Sequence, residues 1–149
     1  MKILTVYYSR TGKTKKIAEK ISKELNSDID EISDLKKRSG ILGFLGGGRD
    51  AFFKKSTKIK FIKDPSKYDI VIIGTPIWAG TCVPAVREYL KKNKIKKTAF
   101  FCTAGSKQAK AWKDMEELSS KPIATLDIKD KKVDSFDKEI RIFCKKVKS

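Results

Sequence analysis

Five short apolar runs, separated by segments of helical period, constrain the fold of this chain more than any other feature. Lys2 to Tyr8 reads as a buried strand, and Lys13 to Leu25 as a helix with Ile17, Ala18, Ile21 and Leu25 on one face. A weakly signalled strand follows near Ile29 to Ser33. Asp69 to Gly74 reads as the third strand, Val83 to Lys92 as a helix tolerating Pro84 in its first turn, and Thr98 to Thr103 as the fourth strand. Ala109, Trp112, Met115 and Leu118 recur every third residue and place a helix from about Lys107 to Leu118. Ile123 to Ile128 is the fifth strand, and Asp134 to Val147 a closing helix that buries Phe136, Ile140, Phe143 and Val147. Strands alternating with helices predict an α/β chain, a parallel sheet covered on both faces. In such sheets a ligand sits beyond the carboxyl ends of the strands, where strand order reverses. Three loops are therefore the places to look: Ser9 to Thr14, Thr75 to Thr81 and Thr103 to Lys107.

Composition narrows the chemistry. The 149 residues suit one domain, residues 1–149, with a real core. The chain has no histidine, and its three cysteines (Cys82, Cys102, Cys144) lack metal-ligand spacing. That argues against a zinc site, a Ser-His-Asp triad and a Cys-His dyad. Scattered cysteines in odd number fit a reducing compartment, each as a small buried hydrophobe. With no signal-peptide layout and no apolar run of membrane-spanning length, the expectation is a soluble cytoplasmic protein without a membrane partner.

The first loop ends in Gly12-Lys13-Thr14, as ATP-binding loops do. Their pattern needs a glycine five residues before Gly12, and Tyr7 stands there, still within the strand. No strand ends in the acidic residue that would hold magnesium. A nucleotide triphosphate is thus a poor fit. What remains is a tight turn with three hydroxyls (Ser9, Thr11, Thr14), one glycine and a helix amino terminus, which suits one phosphate dianion. An ordinary helix cap would need only one of those hydroxyls.

In the second loop, "GTPIWAGT", Trp78 would project past the sheet edge, poorly buried unless a planar ligand covers it; a loop tryptophan packed against the sheet end is the competing reading. Gly80 would permit close backbone approach or a peptide flip. The third loop, "CTAGSKQ", is small and hydroxyl-rich, and suits backbone hydrogen bonds to a heterocycle edge.

Together these residues resemble the flavodoxins. "SRTGKT" is similar to their phosphate loop, "TPIWAG" to their first ring-binding loop and "FFCTAGS" to their second, in order along nearly the whole chain. The resemblance implies a three-layer flavodoxin-like fold, with a five-stranded parallel sheet of order 2-1-3-4-5, and a non-covalent FMN. It implies that Ser9, Arg10, Thr11, Gly12, Lys13 and Thr14 hold the phosphate. Thr75, Pro76, Trp78, Ala79 and Gly80 would line one side of the ring system, and Thr103, Ala104, Gly105 and Ser106 would bond its pyrimidine edge. The implied function is an electron carrier between a reductase and an acceptor, with no catalytic side chain and no metal. One departure is the third loop, which lacks the tyrosine that covers the outer ring face in many flavodoxins. Lys107 and Gln108 stand there instead, and Trp112, at helical spacing with Met115, reads as core. The run Thr75-Pro76-Ile77-Trp78 also resembles NAD(P)H-dependent flavin and quinone reductases, so an FMN-dependent NAD(P)H oxidoreductase is the alternative. Cys82 and Cys102 lie near the proposed ring, and neither is expected to have a redox role.

The charge is unlike that of familiar flavodoxins, which are acidic: 35 basic and 18 acidic residues give +17. Arg10, Lys13, Lys15, Lys16, Lys107 and Lys110 belong to the cofactor end. The runs Lys54 to Lys63 and Lys91 to Lys97 precede strands and are expected at or toward the opposite end. A basic rim suits redox partner proteins with acidic surfaces and a less negative potential for the last reduction step. A basic nucleic-acid-binding module on the same scaffold is a further alternative. Its lysine runs are short and carry no recognition motif, so nucleic acid is not the expected partner. The insertion from Lys37 to Lys55, with Ile41, Leu42, Phe44, Leu45, Phe52 and Phe53, is too apolar for a plain loop. It is expected to pack at the sheet edge with partial mobility; a flap or dimer contact is the competing reading. The expected assembly is a monomer or weak homodimer.

Overall fold

The computed structural model describes residues 1–36, 57–104 and 109–149. Along the chain come β1 (Ile3–Tyr7), α1 (Lys13–Leu25), β2 (Asp28–Glu31), β3 (Ser33–Asp34), β4 (Ile59–Lys60), β5 (Ile70–Trp78), β6 (Thr81–Cys82), α2 (Pro84–Lys92), β7 (Thr98–Ala104), α3 (Ala109–Leu118), β8 (Thr125–Lys129) and α4 (Asp137–Lys148), with 3-10 turns at Pro65–Lys67 and Asp130–Ser135. The insertion expected to pack at the sheet edge lies outside the described residues, as do Gly105, Ser106, Lys107 and Gln108 of the third loop.

β1 is buried along its whole length, which requires a partner on each edge and cover on each face. It pairs in parallel with β2 on one side and with β5 on the other, Tyr7 standing opposite Glu31 and Gly74. β7 follows beside β5 and β8 beside β7, so the parallel order is β2-β1-β5-β7-β8. This is the expected 2-1-3-4-5 order once the short strands are set aside. The chain is therefore three-layered, with a core on each face. α1 and α4 cover one face through Ile17, Ile21, Phe143 and Val147; α2 and α3 cover the other through Val86, Tyr89, Leu90 and Met115. Ile17 and Ile21 are fully buried, and each contributes about 1.5–3 kcal/mol by leaving water. No helix among the described residues is long and apolar enough to cross a membrane.

Several boundaries differ from the sequence reading, each for a local reason. β2 covers Asp28–Glu31, while Ser33 and Asp34 pair antiparallel with β4 in a separate two-stranded sheet. Asp30 sits at the break, its carboxylate accepting the amides of Glu31, Ile62 and Lys63 at 2.7–2.9 Å. The third main strand runs on to Trp78, because residues 75–82 form a hairpin in which Ile77 faces Cys82 and Trp78 faces Thr81. The closing helix starts at Asp137, after a 3-10 turn that ends at Ser135. Trp112 does pack in the core: its ring stacks on Phe100 with centroids 6.1 Å apart.

Gly74, where β5 reaches the end of β1, is dictated by packing. A Cβ there would come within 2.1 Å of the Phe101 ring on β7, a fully buried side chain, so the ring or the backbone would have to shift. Gly74→Ala should therefore cost about 1–3 kcal/mol of stability by overpacking. A urea midpoint unchanged from the parent would show that Phe101 has room to move.

Candidate functional site

Strand order reverses between β1 and β5, so the loops leaving these two strands diverge and open a crevice at their carboxyl ends. A cleft lies there, lined by Arg10, Thr11, Lys13 and Thr14 from the first loop, Pro76, Ile77 and Trp78 from the hairpin, and Thr103 from the end of β7. Residues from all three loops singled out in the sequence thus meet in one place.

The first loop owes its shape to Gly12, whose φ of 91° is open to glycine and strained for side chains. Ser9 Oγ accepts the Gly12 amide at 3.1 Å and closes the turn. α1 then starts without a side-chain cap. The amides of Lys13, Thr14 and Lys15 precede the first intrahelical bond, which runs from the Lys16 amide to the Gly12 carbonyl at 3.0 Å. The first turn carries no acidic residue; it carries Lys13, Lys15 and Lys16. Cations at a helix amino terminus oppose its dipole by about 0.3–1 kcal/mol each. Lys16 is relieved in part by an ion pair with Asp134, whose carboxyl it holds below the usual range through a hydrogen bond and its charge. An anion over the turn relieves the others.

The hydroxyls of Thr14 and Thr103 lie 2.8 Å apart in a buried contact between residues 89 positions apart in the chain. A bond between two hydroxyls uses one of their two protons, so the pair still has a proton to donate. A phosphate oxygen is a fitting acceptor. Thr14 was expected at the phosphate and Thr103 at the ring edge; their contact makes them one donor set. A Cβ at Gly12 or at Gly80 would meet no atom within 4 Å, so the backbone can be approached closely at both. This donor set of free amides and hydroxyls under positive charge fits a phosphate monoester such as FMN carries. The cleft volume is about 190 Å³. That is room for a phosphate group and part of a larger molecule.

The hairpin corrects two expectations. Trp78 does not stand exposed awaiting a planar cover, since it is only 6% exposed and Tyr8 meets it edge-on at 5.7 Å. It lines the cleft with the margin that remains, while the neighbouring Pro76 and Ile77 are partly exposed. Thr75 is fully buried; its hydroxyl donates to the Pro76 carbonyl at 2.7 Å and accepts the Val83 amide at 3.3 Å, so it shapes the hairpin from behind. At the tip, Ala79 and Gly80 are exposed and both take positive φ, 50° and 77°, as a type I′ hairpin turn requires. Ala104 is buried at the end of β7. Ile77 and Tyr8 were not singled out in the sequence. Strand alternation through the hairpin would have exposed Ile77; nothing local marks Tyr8.

A larger cavity of about 500 Å³ lies on the other side of β1, lined by Tyr7, Glu19, Asp30, Glu31 and Lys60 among others. Its acidic wall repels a phosphate. Burial, reinforced by Glu31, pushes the Tyr7 hydroxyl up to about 12. Lys60 in this wall also corrects the expected charge layout. The described part of the 54–63 run flanks the carboxyl end of β2, whereas Lys91–Lys97 does lead into the amino end of β7 as expected.

The cysteines are shielded. Burial pushes the Cys82 thiol up to about 11, against the pull of Arg87, and Cys144 up to about 12. Cys102 is buried and donates to Asp127 at 3.1 Å. Both raised thiols stay neutral in the fold while the unfolded chain ionises near 9.0. Their contribution to stability is therefore complete below about pH 9 and is lost as pH rises through 11 to 12. Urea midpoints should fall between pH 8 and 10.5, less so in a Cys82→Ala, Cys144→Ala protein; equal slopes in the two proteins would exclude the thiols as the cause.

No family model matches the sequence, and no curated protein matches it. Solved structures do. The chain is similar to a flavoprotein from Lactobacillus acidophilus NCFM in complex with FMN, at 26% identity over 89% of this chain and 96% of that one, with a TM-score of 0.71. It is similar to a protein from Bacteroides eggerthii DSM 20697 at 21% identity, covering 99% and 98% of the two chains, with a TM-score of 0.79. It is similar also to oxidised flavodoxin 2 from Bacillus cereus at 19% identity, covering 98% and 97%, with a TM-score of 0.61.

Proposed function

We propose that this chain, flavodoxin-like in its fold and in its loops, binds FMN at the β1–β5 crevice and carries electrons between a reductase and an acceptor protein. The observation that carries this reading is the Thr14–Thr103 contact. It joins the phosphate turn and the third loop into one donor set, with the hairpin of the second loop on the same cleft. The flavoprotein from Lactobacillus acidophilus, similar over most of its length, is in complex with FMN.

Bound FMN supplies the chemistry, accepting and releasing one or two electrons. The chain supplies binding and environment. The amides of Lys13, Thr14 and Lys15 and the hydroxyls of Thr11, Thr14 and Thr103 hold the phosphate; Pro76, Ile77 and the Ala79–Gly80 turn flank the ring. Arg10, Lys13 and Lys15 keep the surroundings positive, which favours the added negative charge of the reduced cofactor and an acidic docking face on a partner. No side chain is required as an acid or a base.

The purified protein should be yellow, or become so on adding FMN, with absorption bands near those of free flavin. Hydrogen bonds to a charged group contribute about 1.5–3 kcal/mol. Thr11→Ala and Thr14→Ala should therefore each weaken FMN binding at least tenfold in a fluorescence titration, with little effect on riboflavin, which lacks the phosphate. Unchanged FMN affinity in both variants would mean that the turn is only a helix cap.

An FMN-dependent NAD(P)H oxidoreductase is the second reading, favoured by the small cleft, which leaves room for a hydride donor beside the ring. Stopped-flow mixing with NADH and NADPH separates the two. A carrier should show no fast direct reduction, and its electron transfer to an acidic acceptor should slow as salt rises; rapid reduction by either nucleotide would replace the carrier reading with the enzyme.

A further inference from the structure

Behind the hairpin lies a buried polar cluster. Thr81 on β6 is 2% exposed, Arg87 on α2 is 5% and Asp114 on α3 is 7%. The Arg87 Nη2 donates to Thr81 Oγ1 at 3.0 Å, and Thr81 Oγ1 donates to Asp114 Oδ2 at 2.7 Å. The direction of both bonds is dictated, since a guanidinium only donates and a carboxylate only accepts. One hydroxyl therefore stands between two opposite charges delivered by two different helices. Among the described residues the Arg87 Nε, also buried, has no partner.

Such a cluster is costly to bury, and replacing ion pairs by apolar groups is often neutral or stabilising. Its placement gives a reason for it. Thr81 pairs with Trp78 across the hairpin and directly follows Ala79 and Gly80, the two residues held at positive φ. Ala79 bears a strain there of about 1–2 kcal/mol that only its surroundings can maintain. The near arm of the hairpin continues β5 and is held by the sheet. The far arm is two residues long, too short to be held by ladder bonds alone. The clamp on Thr81 holds this arm beside the Thr75–Val83 bond.

We propose that Thr81 is a positioning residue for the flavin ring: clamped between Arg87 and Asp114, its hydroxyl holds the far arm of the hairpin, and with it the Ala79–Gly80 turn, in the geometry that receives the cofactor. This rests on the FMN reading above. It concerns the ring side of the site, whereas Thr11 and Thr14 act on the phosphate side. Valine at position 81 keeps the shape and strand preference of threonine and removes both bonds; serine keeps the hydroxyl.

The test compares FMN affinity, by fluorescence titration of folded apoprotein, in Thr81→Val, Thr81→Ser, Asp114→Leu and Thr98→Val, with the urea midpoint of each. Thr98 is a buried threonine bonded to Ser120 at the far end of the sheet, so its variant reports lost stability alone. Thr81→Val should weaken FMN binding at least tenfold and alter the visible circular dichroism of bound flavin. Thr81→Ser and Thr98→Val should stay within about threefold of the parent. The proposal is overturned if Thr81→Val stays within threefold, or if Thr98→Val, at equal loss of stability, weakens binding as much. Should Thr81→Val not fold, Asp114→Leu, which removes the acceptor of the Thr81 hydroxyl, decides in its place, with the same tenfold expectation and the same overturning result. A parent protein that binds no FMN would instead remove the functional reading and is distinguishable from either outcome.

Discussion

The parallel pairing of β1 with β5 is the contact on which the rest of the molecule depends. It places Tyr7, the last residue of β1, opposite Gly74, beyond which β5 runs on into its hairpin, so the chain leaves the two strands in different directions. The crevice between those two paths is the cleft. The same pairing buries β1 on both faces and so requires the helices that close the molecule. Gly74 makes this junction possible from the other side, by leaving space for Phe101.

Electrostatics adds a second layer. Evolution or chance could have given α1 a negative first turn, which would have stabilised the helix on its own. The turn instead carries lysines and uncapped amides, a combination unfavourable by itself and favourable under an anion. Meanwhile the larger cavity next to it is acidic. Two neighbouring recesses at one end of the sheet thus have opposite charge preferences, and the smaller one suits an anion.

Rigidity is spread unevenly around the cleft. The first-loop side is set by local chain geometry, a glycine and a serine within four residues. The other side is a hairpin with a strained tip, braced behind by Thr75 and by the Arg87–Thr81–Asp114 cluster. Tyr8, which leaves β1 toward the first loop, packs on Trp78 of the hairpin, so the two sides are also in direct contact.

The strands, the helices, the sheet order and the tight turn before α1 were legible in the sequence, because each depends on short-range signals. Apolar runs, 3.6-residue periodicity and a serine, a threonine and a glycine within four residues are local facts, and no distant residue alters them. Trp78 was not legible in the same way. Its neighbours in sequence are a loop, and only the fold brings Tyr8 against its ring. Likewise nothing local joins Thr14 to Thr103, or Thr81 to Arg87 and Asp114, since these residues come from different elements and meet only once strand order is set. The sequence by itself determined the order of the elements and which three loops lie at the carboxyl ends of the strands. The tertiary structure decided which of their side chains face the cleft and which are spent holding its walls, because burial and hydrogen-bond partnership belong to the packed sheet and not to any segment of it.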